Sequence, residues 1–260
     1  MHFDLSDAYR PRASFVHRLD PRTKVLCALL AIAALGVIPP GRWALFLVMG
    51  ALIVGVAAGS RLGAGFAMKR AALALPFVLA ALPLPFTTSG RTVFEVPLVG
   101  WAASDEGLTR LASLLVRTWL AAQAAILLTA TTPFRDLLWA LGALRLPRIL
   151  VSTIGFMYRY LFVLADEAAR MLQARSSRAA RLGKKRPSLR WLGWTVGMMV
   201  GTLFLRSLER SDRVYAAMLS RGYDGRPLVF VQSEMRRADW WALLTTGLIL
   251  AVLVVIPHLA

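Results

Sequence analysis

The chain has 260 residues, 57% of them hydrophobic, with a mean hydropathy of +0.59 and a formal charge of +17. That apolar fraction excludes an ordinary soluble domain, and the basic excess fits apolar spans in a bilayer joined to a basic cytoplasmic domain. The arginines are interleaved with long apolar segments rather than gathered with exposed aromatics in a reader motif, which argues against nucleic acid as a partner.

Met1 to Lys24 is polar and basic, with no apolar core of a cleavable signal peptide before the first span. Asp20-Pro21 reads as a helix N-cap followed by proline in the first turn. Arg18, Arg22 and Lys24 mark this side as cytoplasmic, as a membrane anchor or as a brace for the cytoplasmic domain. Val25 to Ile38 is apolar, Pro39-Pro40-Gly41 breaks it, and Trp43 to Ala58 is apolar again. Each run is shorter than the ~20 residues of a usual span, so together they predict a helical hairpin with a short outer turn; a re-entrant hairpin is the alternative. Cys27, the sole cysteine, reads as a small buried hydrophobe, and alone it permits neither an internal disulfide nor a thiolate cluster.

Arg61 to Arg70 holds three bases and no acid, which places it inside. Ala71 to Phe86 is a third span, kinked by Pro76, Pro83 and Pro85. Thr87 to Gly107 is a polar loop with one base, Arg91, and three acids, Glu95, Asp105 and Glu106, which places it outside. Leu108 to Ala130 is a fourth span, in which Arg110 and Arg117 either snorkel or face protein.

Thr131 to Arg237 carries 19 Lys+Arg and 7 Asp+Glu, most of the net positive charge. It predicts a short amphipathic helix over Phe134–Leu144, a long one from Pro147 to about Leu182, a basic turn at Gly183–Pro187, and a second long helix over Ser188–Arg221. Ile149–Ala165 and Trp191–Leu205 are apolar enough to span, but they run directly into arginine-rich halves. They are read as lying under and partly in the membrane core, with two further spans as the alternative. Arg159, beside Tyr158 and Tyr160, is expected to pair with Asp166 or Glu167 or to fix a helix crossing. Trp240 to Ile256 is the last span, belted by Trp240 and Trp241. The expected fold is all-α: a polytopic membrane protein of about five transmembrane helices with long cytoplasmic coupling helices. Its divisions are residues 1–130 (four spans), 131–237 (basic coupling-helix domain) and 238–260 (last span).

Two arginines end the long helices in similar triplets, Ala174-Arg175-Ser176 and Ser220-Arg221-Gly222. Leu164, Ala168 and Met171 lead to Arg175 at steps of three or four residues, and Val214 and Met218 lead to Arg221. An apolar face, including Met171, Leu172, Met218 and Leu219, tipped by a guanidinium suits docking on a carboxylate-bearing partner. The plainer reading is an arginine favoured by the helix dipole and, at Gly222, a C′ cap. In an antiparallel pair the arginines would stand roughly 40 Å apart, which suits a partner that is itself two-fold.

Leu19-Asp20-Pro21-Arg22-Thr23-Lys24, Met157-Tyr158-Arg159-Tyr160, Ala174-Arg175-Ser176 and Ala217-Met218-Leu219-Ser220-Arg221-Gly222-Tyr223-Asp224-Gly225 resemble the transmembrane T component of energy-coupling factor (ECF) transporters, in the cobalt/nickel branch. Ser220 stands where the family usually has alanine. The resemblance implies a non-catalytic bacterial inner-membrane subunit whose N-terminus and coupling domain are cytoplasmic. It implies as partners two ABC-type ATPase subunits and a separate substrate-binding membrane subunit for cobalt or nickel. Ala174, Arg175, Ser176, Ser220, Arg221 and Gly222 would dock the ATPases, while Asp20, Pro21, Arg22 and Arg159 would be structural anchors. No phosphate-binding G-x-x-x-x-G-K-[ST] loop occurs in the sequence, and His2, His17 and His258 lack metal-ligand spacing, so no cofactor or metal is expected here. A membrane-embedded enzyme and a self-sufficient permease are the alternatives; the first would need clustered carboxylates or histidines in the spans, the second a polar path.

Overall fold

The computed structural model describes residues 9–62, 81–88, 91–96, 101–179, 188–225 and 235–259, with isolated positions 65, 68 and 71. Most of the expected third span, including Pro76, and the Gly183–Pro187 turn lie outside the described residues. The architecture is all-α, as expected, with one short β-hairpin. The chain divides into two compact units, residues 141–230 in one and 7–140 with 231–260 in the other.

In the larger unit, α1 (Phe15–Arg18) precedes α2 (Pro21–Val37). Asp20 is the N-cap of α2, its carboxylate accepting from Arg22 N–H at 2.8 Å, with Pro21 at N1. Helix α2 stops where Pro39 forces Ile38 out of the helical region, to φ −58° and ψ 125°. The short outer turn follows, with Gly41 at φ +84°, and α3 (Trp43–Gly59) returns. Both ends of that turn are held by α5 (Asp105–Thr131). The Arg117 guanidinium donates to Ile38 O at 2.5 Å, and Gly41 N–H donates to Ser113 Oγ at 3.0 Å. Arg117 therefore faces protein, satisfying a C-terminal carbonyl of α2 inside the apolar zone.

Between them, α4 (Leu84–Thr87) packs on the start of α5 so closely that a Cβ on Gly107 would lie 2.6 Å from Pro85 Cα. The predicted outer loop contains a hairpin, β1 (Thr92–Val96) antiparallel to β2 (Trp101–Ser104). Helix α5 begins three residues earlier than expected because Ser104 caps it, accepting from Gly107 N–H at 3.1 Å. Asp105 and Glu106 thus sit in its first turn, favourably placed for the helix dipole.

The core joins α2, α3, α5 and α9 (Arg237–Leu259). Leu35, Ile38, Phe46, Met49, Leu120 and Leu253 fill it, and Ala34, Ala57 and Ala124 let the backbones approach. The outward faces are also apolar: Leu47 is 75% exposed and Leu248 67%. A helix that is apolar all round belongs in a bilayer, and the protein is a membrane protein. Among the described residues, Asp105–Thr131 and Arg148–Arg178 are long and apolar enough to cross a membrane, and Trp43–Gly59 is a shorter apolar helix.

A polar layer closes the N-terminal end of α2. Asp239, 2% exposed, accepts from Asp20 N–H and Arg236 N–H, each at 2.8 Å, and so ties the starts of α2 and α9 together. Lys24 Nζ donates to His17 O at 3.0 Å and Thr131 O at 3.3 Å, while Arg10 N–H donates to Ala130 O. The last carbonyls of α5 are thereby satisfied. The Arg22 guanidinium lies 4.3 Å from the ring centre of Trp139 on α6 (Phe134–Ala143). Arg22 and Lys24 thus brace neighbouring elements, whereas Arg18 is exposed.

Candidate docking site on the long helices

The other unit is dominated by α7 (Arg148–Ala179) and α8 (Leu189–Leu219). Ser188 caps α8, accepting from Trp191 N–H. Three contacts align the helices antiparallel: Arg175 with Trp191, Glu167 with Arg206, and Phe156 with Tyr223. On α8 the half-buried positions are Leu192, Thr195, Met199, Leu203, Ser207, Arg210, Val214 and Met218. That spacing of three and four residues is one continuous helix face. The apolar stripe of α7 behaves likewise, with Leu164, Ala168, Met171 and Arg175 all half-buried.

The two arginines, alike in sequence, differ in setting. Arg175 lies on the half-buried stripe, its guanidinium 5.9 Å from the Trp191 ring centre, near the outer limit of a cation–π contact. Its Nε is buried without a hydrogen-bond partner. Ala174, Leu172 and Ser176 flank it on the exposed side, and Ser176 Oγ donates back to Gln173 O. Arg221 is exposed. Its backbone belongs to a Schellman ending: Tyr223 N–H donates to Met218 O at 3.0 Å, Gly222 N–H donates to Leu219 O at 2.9 Å, and Gly222 takes φ +76°. The plainer reading of Gly222 as a C′ cap therefore holds, and Arg221 is exposed where Val214 and Met218 are half-buried. Leu219 is 51% exposed and Ser220 donates to Ala217 O. Neither guanidinium forms an ion pair among the described residues.

The helix geometry brackets their separation. From Phe156, beside Tyr223, α7 runs 19 residues to Arg175, about 28 Å. From Trp191, beside Arg175, the chain runs 30 residues to Arg221, about 45 Å if helical throughout.

Glu167 is not paired with Arg159. Its carboxylate binds Arg170, three residues on, and Arg206 of α8. Arg159 is two helical turns away, beyond the reach of an i,i+4 pair; it is exposed and forms no ion pair among the described residues. Sequence reasoning did not find Trp191, Arg206 or Trp139, because each acts on a residue on another helix, with no local spacing to announce it; Asp239 was missed although its bond to Arg236 N–H, three residues upstream, has the spacing of a helix-start capping box.

A protein-family model described as "Cobalt transport protein", CbiQ, matches residues 12–230. The cobalt transport protein CbiQ of Rhodobacter capsulatus is 31% identical over 149 residues, 56% of this chain and 59% of that protein. The nickel permease LarQ of Lactiplantibacillus plantarum is 33% identical over 110 residues, 42% of this chain and 37% of that one. The energy-coupling factor transporter transmembrane protein EcfT of Thermotoga maritima is 26% identical over 262 residues, covering 94% and 91%. The chain thus spans about three fifths of the first of these relatives and nearly all of the last. The family match runs through every motif that carried the resemblance, from Leu19–Lys24 to Ser220–Gly225, and the chain belongs to the CbiQ cobalt transport protein family.

Proposed function

We propose that this protein is the transmembrane coupling subunit of an ECF-type importer for cobalt or nickel ions, transmitting ATP-driven motion of two ATPase subunits to a separate substrate-binding membrane subunit. The observation that carries this reading is the pair of cationic ends on α7 and α8: Arg221 exposed at a fixed helix ending and Arg175 set tens of ångströms away, neither committed to an acid among the described residues. A guanidinium held in place but unpaired is suited to a carboxylate on another chain. Two such ends that far apart fit one groove on each of two like subunits. The near-full-length similarity to EcfT and the match to CbiQ support the same assembly.

In this mechanism Ala174-Arg175-Ser176 and Ser220-Arg221-Gly222 seat in the two ATPases, with Met171, Leu172, Met218 and Leu219 supplying apolar contact around them. Closure of the ATPases on ATP shifts α7 and α8, and the membrane-facing parts of these helices tilt the substrate-binding subunit so that its ion is released inward. The chain itself does not catalyse. The basic 131–237 segment and the N-terminus face the cytoplasm of a bacterial inner membrane, with spans at 1–130 and 238–260.

The test is co-purification and ATP-dependent ion uptake with the cognate ATPases and substrate-binding subunit. Arg175→Glu and Arg221→Glu together are expected to lose the ATPases while keeping the membrane partner, with each single change weakening one contact. Full assembly and uptake in the double variant would reduce both arginines to helix-end residues and sink the proposal.

A further inference from the structure

Within the larger unit, α2, α3, α5 and α9 leave a groove of about 1020 Å³, at the upper end of the roughly 300–1,000 Å³ of ordinary ligand sites. Ala31, Val56, Leu128 and Ile249 are typical of its walls, and Thr23 and Lys24 lie at one end. Along α2 it runs from Thr23 to Ala31, about 12 Å, and along α9 from Ala238 to Leu250, about 18 Å. One leaflet of a bilayer's hydrocarbon is about 15 Å deep, half of the ~30 Å core. The groove therefore has the depth of one leaflet and an apolar lining over that depth.

An unsatisfied polar group lies at its basic end. Thr23 is 1% exposed, and its hydroxyl has no hydrogen-bond partner. A buried hydroxyl left without a partner costs about 1–3 kcal/mol, so a ligand that supplies an acceptor there is favoured. Deeper in, Thr245 is already bonded to Trp241 O. Arg18 precedes the lining residue Leu19 in the chain, and Arg236 and Arg237 immediately precede Ala238 at the same end; all three are exposed. The buried acids Asp239 and Asp20 keep their charge while accepting backbone N–H groups, and they act on Lys24 as well as on these arginines, so the cations at this end outnumber them.

We infer that this groove is a phospholipid site, taking the acyl chains of one anionic lipid between α2, α3 and α9. Its ester carbonyl accepts from the Thr23 hydroxyl, and its phosphate meets Arg18, Arg236 and Arg237. Basic residues at the membrane surface favour anionic headgroups. A partner helix fits less well: its interior carbonyls are already bonded within the helix, so only its last turn could offer Thr23 a backbone acceptor, and it brings at most a partial negative charge to the arginines. The site is independent of the coupling role; only its assignment to the cytoplasmic leaflet rests on the orientation proposed above.

The experiment extracts the full chain into polymer nanodiscs, transfers it to detergent with exhaustive washing, and quantifies retained lipid by mass spectrometry. Wild type is expected to keep one phospholipid per chain, with phosphatidylglycerol enriched about fivefold over phosphatidylethanolamine relative to the source membrane. Ala31→Trp, which fills the groove, should lose it. Arg18→Gln with Arg237→Gln should retain lipid but lose the headgroup preference. These two are exposed changes that leave the fold intact, so they decide the matter should Ala31→Trp fail to fold. Wild type retaining no lipid, or lipid of bulk composition, would overturn the inference. So would an Ala31→Trp chain that keeps its lipid but no longer binds the substrate-binding subunit, an outcome that would make the groove a seat for a protein helix.

Discussion

The bundle of α2, α3, α5 and α9 and the pair α7–α8 draw on similar apolar residues but dispose of them differently. In the bundle, Leu35 is fully enclosed, and Ile38, Met49 and Ala130 are each 1% exposed. In α8 no residue is buried; Trp194 is 73% exposed, and Val200, Phe204 and Leu205 are each 61%. The bundle closes around its own side chains and its own helix ends, through Arg117, Lys24 and Asp239. The pair keeps one half-buried face for itself and presents apolar residues elsewhere. Helix α8 is also divided along its length: Trp191 to Leu205 carries no charge, whereas Arg206 to Arg213 carries five. One half suits an apolar surrounding and the other water or an acidic partner. Whatever covers such an exposed apolar face in the folded state, bilayer or partner, adds to its stability.

The comparison breaks most sharply if equal truncations have equal effects. Leu35→Ala should cost about 2–5 kcal/mol, because it opens a cavity in a closed core, and should lower the midpoint of thermal unfolding in detergent. Leu205→Ala removes the same atoms from an exposed position and should leave that midpoint within error while weakening assembly with partner subunits. Matching drops in the two midpoints would mean that the α7–α8 pair is as self-contained as the bundle.

A smaller effect is expected at the polar closure. Asp239→Asn keeps one acceptor oxygen but replaces the other by an NH₂ that cannot accept from a backbone N–H. The loss should be about 2 kcal/mol, in the range of charge-assisted hydrogen bonds, read as earlier unfolding and faster amide exchange at Asp20 and Arg236. Unchanged protection at both amides would show that the tie between α2 and α9 does not depend on this carboxylate.

What the sequence made legible was local. Asp20-Pro21 announces a helix start, Pro39-Pro40-Gly41 a helix stop, and Gly222 a helix ending, because each acts within a few residues of itself. The apolar periodicity that leads to Arg175 and Arg221 was readable too, but it carries no information about which face meets the neighbouring helix. Arg175 turns out half-buried, against Trp191, whereas Arg221 is exposed. Asp239 acts 219 residues from its partner Asp20, and Glu167 39 residues from Arg206. Such pairings depend on how the helices pack, which no spacing in the chain encodes. The hairpin of β1 and β2 escaped notice because its strands are short and bounded by a loop already accounted for by charge.

Gly222→Ala sharpens the comparison within the pair. At φ +76° an L-residue pays roughly 1–2 kcal/mol, so the Schellman ending should loosen and Arg221 lose its fixed direction. The expected result is weakened ATPase association with little change in the unfolding midpoint of the bundle. Arg175 gives the control: Trp191→Leu should affect its contact while leaving the α8 ending intact. If both variants assemble as wild type does, the placement of these guanidinium groups is not what recruits the partner.

The smallest effect is predicted for Glu167→Gln, and its smallness is informative. The carboxylate holds Arg170 and Arg206 by hydrogen bonds, which keep its pKa below the usual glutamate value. A depressed carboxylate contributes stability above its unfolded pKa and loses it as pH falls through the folded one. Both arginines are more than half exposed, however, and exposed pairs are strongly screened by solvent and salt. Glu167→Gln should therefore leave the unfolding midpoint unchanged at neutral pH, and acidification should abolish any wild-type advantage that low salt reveals. A clear midpoint drop at physiological salt would mean that Glu167 holds α7 to α8 in a shielded setting, and the contrast between a closed bundle and an open pair would then have to be abandoned at that point.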